Sequence, residues 1–249
     1  MTTEGPREWD ADAYDRLPIP MTAWGAAVLE WLDLRGDERV LDAGCGTGQV
    51  TSMLRDRLPH GWVIALDGSV AMIERARERL GGDRVGYVVA DLASPSSLPI
   101  EPIVDAVLST ATFHWILDHD ALFRGLAAVV RPGGQLAAQC GGEGNIASIE
   151  SALAEMGEDL RGRKHFATPS ATQERLVAAG FVDVECWLSD EPTELPASDL
   201  EPYLETICLG DHVAGMDPAA RRAFVRQVAA RMPGPVIDYV RLNIRARRG

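Results

Sequence analysis

No run of about 18 apolar residues occurs anywhere in the chain, so the sequence offers no membrane-crossing helix. Basic residues are in short supply: 24 Lys plus Arg stand against 37 Asp plus Glu, a net charge of −13. That deficit argues against unaided binding to nucleic acid or to an anionic membrane surface, and leaves small molecules as partners. Cysteine is scarce and scattered, at Cys45, Cys140, Cys186 and Cys208, with no Cys-x-x-Cys pair. The four read as free thiols in a reducing compartment, and no metal site is expected. The opening segment, MTTEGPREWDADAYDR, is acidic and polar and lacks the apolar region of a secretory signal, so we expect a cytoplasmic protein. Internal repeats and low-complexity tracts are missing as well.

What remains is an ordinary globular composition, 46% apolar and 24% charged over 249 residues. Such a chain buries roughly 70–75% of its unfolded surface and needs no covalent staples. Its dominant pattern is alternation. Short apolar runs at 39–43, 62–66, 85–90, 106–110, 135–140, 182–189 and 237–244 predict strands. Amphipathic stretches at 49–58, 71–80 and 121–130 predict helices between the early ones. Strands that alternate with helices imply βαβ units and a parallel sheet, hence an α/β fold. Ahead of the sheet, residues 11–32 predict a helical segment broken at Pro18 and Pro20. Near the end, 191–232 interrupts the alternation with helical patterns at 198–209 and 218–232, as a lid would. We therefore expect one domain over 1–249, with an N-terminal helical cap at 1–35, a ligand-binding core at 36–142 and a helical lid at 190–234.

The strongest local signal is Val40-Leu41-Asp42-Ala43-Gly44-Cys45-Gly46-Thr47-Gly48, which follows a strand and precedes a helix. Glycines at 44, 46 and 48 let the backbone turn tightly and approach a ligand. A dinucleotide fingerprint would place its third glycine at 49, where this chain has Gln49, which counts against a nicotinamide-dependent reductase. Asp42 adds negative charge to the turn, which favours a cationic ligand over a pyrophosphate. Asp67 ends the second strand, where a carboxylate can accept both ribose hydroxyls, and Asp91 ends the third.

These residues resemble the class I S-adenosylmethionine-dependent methyltransferases, from Arg39 to about Cys140. The resemblance implies a Rossmann-like, seven-stranded, mostly parallel sheet of order 3-2-1-4-5-7-6 with helices on both faces. It implies S-adenosyl-L-methionine as cofactor and S-adenosyl-L-homocysteine as product. Gly44, Cys45, Gly46 and Gly48 would face the methionine portion, and Asp67 with Gly68 the ribose. Met72, Asp91 and Leu92 would meet the adenine, Ser109 and Thr110 would line the sulfonium, and Tyr14 would fold over the cofactor. After the fourth strand come Phe113-His114-Trp115, with no Asn/Asp-Pro-Pro-Tyr/Phe amine grip. A tryptophan here is similar to the small-molecule carboxyl methyltransferases, the trans-aconitate methyltransferase-like group among them. In that group the indole N–H donates to the acceptor carboxylate.

Trp115 therefore reads either as an acceptor contact or as a core aromatic pinning the next helix. His114 reads as a hydrogen-bond partner of the acceptor, as a base for a hydroxyl acceptor, or as a buried loop histidine. Asp118-His119-Asp120 reads as a helix cap rather than a metal cluster. Arg245, Arg247 and Arg248 read as a solvated basic tail. The expected activity is methyl transfer to a small carboxylate or hydroxyl. The rival is a protein of the same fold that binds the cofactor without transferring methyl, as a regulator or a repurposed cyclase.

Overall fold

The computed structural model describes residues 7–17, 19–94 and 104–249. Pro18, one of the two expected helix breakers, lies outside the described residues. The first four strands, β1 (Arg39–Ala43), β2 (Trp62–Asp67), β3 (Val85–Val89) and β4 (Val104–Thr110), run parallel with β5 (Val130–Gly141). Strand β6 (Phe181–Asp190) follows, then a separate two-stranded ribbon of β7 (Thr193–Glu194) and β8 (Val236–Ile237). The last strand, β9 (Val240–Arg248), inserts antiparallel between β5 and β6. The sheet order is β3-β2-β1-β4-β5-β9-β6, the expected one once the ribbon is counted.

Sheet residues alternate between two cores. Leu41, Ile64 and Leu66 pack with Leu122, Phe123 and Leu126 of α5 (His119–Val129). Val40, Val63 and Ala65 face the other way, onto α2 (Met21–Leu29), α3 (Gln49–Asp56) and α4 (Val70–Leu80). Burial on both faces is why these strands read as unbroken apolar runs. Asp118 caps α5 by accepting from Ala121 N–H at 2.8 Å, as its position before the helix suggests.

A third cluster gathers what lies outside the sheet. It joins α6 (Ala147–Glu155), α8 (Leu200–Tyr203), a π turn at Leu204–Cys208 and α9 (Pro218–Ala229). Tyr14 of α1 (Ala11–Arg16), and Trp24 of α2, pack against it. Two helices, α6 and α7 (Pro169–Ala178), go beyond the sequence reading. The C-terminal arginines require a correction. They belong to β9, where Arg248 donates to Ala127 O at 3.0 Å and Gly180 O at 2.7 Å, and Arg245 pairs with Glu185. The expected last strand at 237–244 is thus displaced: its first residue belongs to the ribbon and the true strand runs on to Arg248. None of the described helices is long and apolar enough to cross a membrane.

Candidate active site

The glycine turn is held against the end of β2. Gly44 N–H and Cys45 N–H both donate to Leu66 O, at 2.8 and 2.9 Å. Gly44, Gly46 and Gly48 all have positive φ, the region where a Cβ is costly. At Gly44 an added Cβ would lie 2.0 Å from Thr112 Oγ1. Thr112 itself donates to Gly44 O and Thr110 O, so the tip of β4 clamps the turn. A Cβ on Gly46 would meet no protein atom within 4 Å. Its open side faces a cleft that Gly44, Cys45, Thr47, Gln49 and Thr110 also line, with Tyr14 on the opposite wall. A cradle of bare backbone beside a carboxylate fits the methionine and ribose portions of S-adenosylmethionine.

Asp67 turns both oxygens toward backbone donors: Oδ2 accepts from Gly46 N–H and Oδ1 from Ser69 N–H, each at 2.9 Å. Burial raises its pKa, while the N–H groups of Ser69, Gly46 and Gly68 pull the other way. A carboxylate offers about four lone-pair sites, so two remain for hydroxyl donors of a ligand such as the expected ribose. Asp42 is fully buried, with Oδ2 accepting from Thr51 Oγ1 at 2.7 Å and Oδ1 without a partner among the described residues. Met72 and Leu92 are buried, and Asp91 accepts from Ala93 N–H at 2.8 Å. Ser109 spends its hydroxyl on Ala43 O at 2.6 Å, so only its backbone is free to face a ligand. Cys45 is buried, and burial pushes its thiol well above the usual range, so it is no nucleophile.

The turn expected to meet the acceptor begins where β4 ends. Ala111 takes a left-handed backbone, φ 55°, and the chain then enters a 3-10 turn, Phe113–Trp115. His114 is buried and accepts from Gly141 N–H through Nδ1 at 3.3 Å. That bond leaves its proton on Nε2. Burial, followed by the charges of Arg241, Lys164 and His119, holds His114 well below the usual imidazole range. It is therefore neutral at pH 7 and points a donor, not a base, at its surroundings. Trp115 is half-buried under the N-terminal segment, through a contact with Trp9 that sequence reasoning did not find. Trp9 meets its ring edge-on with centroids 5.3 Å apart, and Lys164 Nζ stands 4.5 Å over it. His119, by contrast, bonds Phe113 O at 2.9 Å and serves the turn.

Other residues missed by sequence reasoning are Glu8, Asp15, Thr112, Lys164 and Arg241. None carries a local motif; each acquires its place from chain segments far apart. Tyr203 and His212, in the segment expected to form a lid, serve packing: Tyr203 OH bonds Tyr239 OH at 2.8 Å and His212 stacks on Phe224.

Residues 40–134 match a family model described as a methyltransferase domain. The chain is 33% identical over 223 residues to trans-aconitate 2-methyltransferase of Streptomyces coelicolor, covering 80% of this chain and 70% of that one. It is 31% identical over 235 residues to trans-aconitate 2-methyltransferase of Rhizobium leguminosarum bv. trifolii, covering 90% and 89%. Among solved structures, a phosphoethanolamine N-methyltransferase of Haemonchus contortus in complex with S-adenosylhomocysteine matches at TM-score 0.60 and 20% identity, over 91% of this chain and 52% of that one. That likeness speaks to the fold. Together with the glycine turn and the sheet order, these matches make the protein an enzyme whose methyl donor is S-adenosylmethionine. The chain belongs to the class I S-adenosylmethionine-dependent methyltransferases, in the group that holds the trans-aconitate 2-methyltransferases.

Proposed function

We propose that the acceptor is a carboxylate of a small acid and the product its methyl ester. The observation that carries this reading is His114, neutral and with Nδ1 engaged by Gly141 N–H. A hydroxyl acceptor needs a group to take its proton, and His114 is turned the wrong way for that. A carboxylate is already ionised at pH 7 and needs donors and orientation alone. The relatives' names, which give the small acid trans-aconitate, support the same choice.

S-adenosylmethionine, when bound, supplies an electrophilic methyl group that passes in line to the acceptor oxygen, leaving S-adenosylhomocysteine. Gly44, Cys45, Gly46 and Gly48 give the methionine portion a backbone cradle, and Asp42 contributes negative charge behind it. Asp67 and Gly68 take the ribose, while Met72, Asp91 and Leu92 border the adenine. The backbone of Ser109 and Thr110 lines the reacting centre, and Tyr14 closes the cleft from above. Trp115 N–H and His114 Nε2–H orient the acceptor carboxylate. No proton moves, so orientation and exclusion of water carry the rate, worth roughly 7–11 kcal/mol in well-aligned systems.

The test uses methyl-labelled S-adenosylmethionine with a panel of small acids led by trans-aconitate. Label released as methanol by mild base is the expected result. Label that resists base means an ether, amine or carbon acceptor and removes the ester reading.

A further inference from the structure

Arg241, on β9, is the bulkiest side chain buried to this degree, at 1% exposure. Its Nε and Nη2 are sealed from water and have no hydrogen-bond partner among the described residues. These two nitrogens form one edge of the guanidinium fork, the edge that takes a carboxylate through two parallel bonds. The faces of the group are accounted for: its carbon stands 4.6 Å from the Trp24 ring centroid and 5.8 Å from that of Tyr239. Stacking satisfies the plane and pins its orientation, but it leaves the N–H edge bare. Glu191 acts on the guanidinium through its charge but accepts no hydrogen bond from Nε or Nη2, and a buried cation whose N–H edge meets no acceptor is costly. Packing alone would be served better by an apolar side chain of similar size.

Its place in the sheet says what the bare edge is for. Arg241 stands opposite Gly141 in the β5–β9 ladder, and Gly141 N–H is the donor that fixes His114. Its charge reaches both His114 and Tyr14, and Tyr14 lines the cleft beside the glycine turn. In the order β4-β5-β9, Arg241 lies two strands, about 10 Å, from the strand whose tip borders the reacting centre. That distance suits the far end of a small acid, not the oxygen that receives the methyl. Trp24, which covers the guanidinium, sits on α2 rather than on the sheet, so the cover and the anchor belong to separate elements.

We propose that Arg241 is the specificity residue of the acceptor pocket, gripping through Nε and Nη2 a second carboxylate of the acceptor that is not methylated. The proposal rests on the carboxylate reading above and extends it to acids with at least two carboxylates. It is tested by calorimetry on the protein saturated with S-adenosylhomocysteine, with trans-aconitate and the mono-acid crotonate as probes. Wild type is expected to bind trans-aconitate more tightly than crotonate. Arg241→Gln should weaken trans-aconitate at least 30-fold and leave crotonate within about threefold. Arg241→Lys, which keeps the charge and loses the fork, should fall in between. S-adenosylhomocysteine affinity should stay within twofold in both variants. Equal trans-aconitate affinity in wild type and Arg241→Gln overturns the anchor, as does no detectable binding of it to wild type. So does a loss of trans-aconitate that is matched by equal losses of crotonate and S-adenosylhomocysteine, since that marks a structural role. The methyl-label assay separates the two readings. Base-stable label with Arg241-dependent trans-aconitate binding removes the ester and keeps the anchor; base-labile label with Arg241-independent binding does the reverse.

Discussion

Asp42 sits in a buried position that works against its own charge. Burial pushes its carboxyl up to about 7, the Thr51 hydroxyl pulls it down, and the Asp67 charge raises it again. With the pKa raised on folding, the native state binds the extra proton between about pH 4 and pH 7. The stability this group contributes is therefore complete below its unfolded pKa and lost as pH rises through 7. Asp42→Asn removes that loss, because the amide oxygen can still accept from Thr51 and carries no charge to bury. Thermal midpoints of the ligand-free protein should coincide for wild type and variant near pH 4. At pH 8 the variant should be more stable by on the order of 3–4 kcal/mol. Equal midpoints at pH 8 would mean that Asp42 is ionised without cost and that its unpartnered oxygen is solvated. Arg241 belongs to the same scale. Both are ionisable groups in the dry interior without a full set of hydrogen-bond partners.

Gly44 shows how one element constrains another. The turn after β1 and the tip of β4 meet so closely that a Cβ at Gly44 would lie 2.6 Å from Thr112 Cβ as well as 2.0 Å from its hydroxyl. Backbone strain at φ 87° adds to that clash. Gly44→Ala should cost about 2–4 kcal/mol, combining left-handed strain with overpacking. Paired with Thr112→Gly, it should cost less than the sum of the two single changes, read from denaturant midpoints. Strict additivity would show that the two elements do not press on one another. The contact also marks where sequence reading stops. The glycine spacing announces a tight turn, but nothing in Ser109-Thr110-Ala111-Thr112 announces that Thr112 fills the space against it. Parallel strands were legible because burial on both faces leaves unbroken apolar runs. Helix α7 carried a usable signal, Thr168 capping Ala171 N–H with Pro169 next, whereas α6 starts from Ile146 at φ 56° with no polar cap to announce it. Arg241 was illegible for a related reason. In an alternating strand an arginine looks like the wet face, and its burial depends on Trp24, more than two hundred residues away.

At the scale of the whole molecule, residues 7–16 form a strap that joins the cofactor side of the site to the acceptor side. Glu8 lies on the N-terminus of α4, accepting from Ser69 Oγ, from Ala71 N–H at 2.9 Å and from Val70 N–H at 3.2 Å. Partial burial would raise the pKa of Glu8, but these bonds outweigh it and hold the carboxyl below its usual range. Asp15 accepts from Thr47 Oγ1 and Gln49 Nε2 and pairs with Arg79, which ties α1 to the glycine turn. Between these two acids, Trp9 packs edge-on against both Tyr14 and Trp115. Residues 7–16 therefore lie against the start of α4, the glycine turn and Trp115 together, and we expect ligand exchange to require these bonds to open. Each charged bond is worth about 1.5–3 kcal/mol at most, and less where water competes. Glu8→Gln and Asp15→Asn should each speed release of S-adenosylhomocysteine by roughly tenfold, the equivalent of about 1.4 kcal/mol. Tryptophan fluorescence in a stopped-flow chase reads the rate directly, since Trp9 leaves the Trp115 ring when the strap opens. The association rate should rise alongside, so affinity changes less than either rate. A faster release with unchanged association would mean that Glu8 or Asp15 stabilises the bound ligand rather than the closed strap. Unchanged release in both variants would place the exit route away from residues 7–16, leaving the strap as a fixed wall of the site.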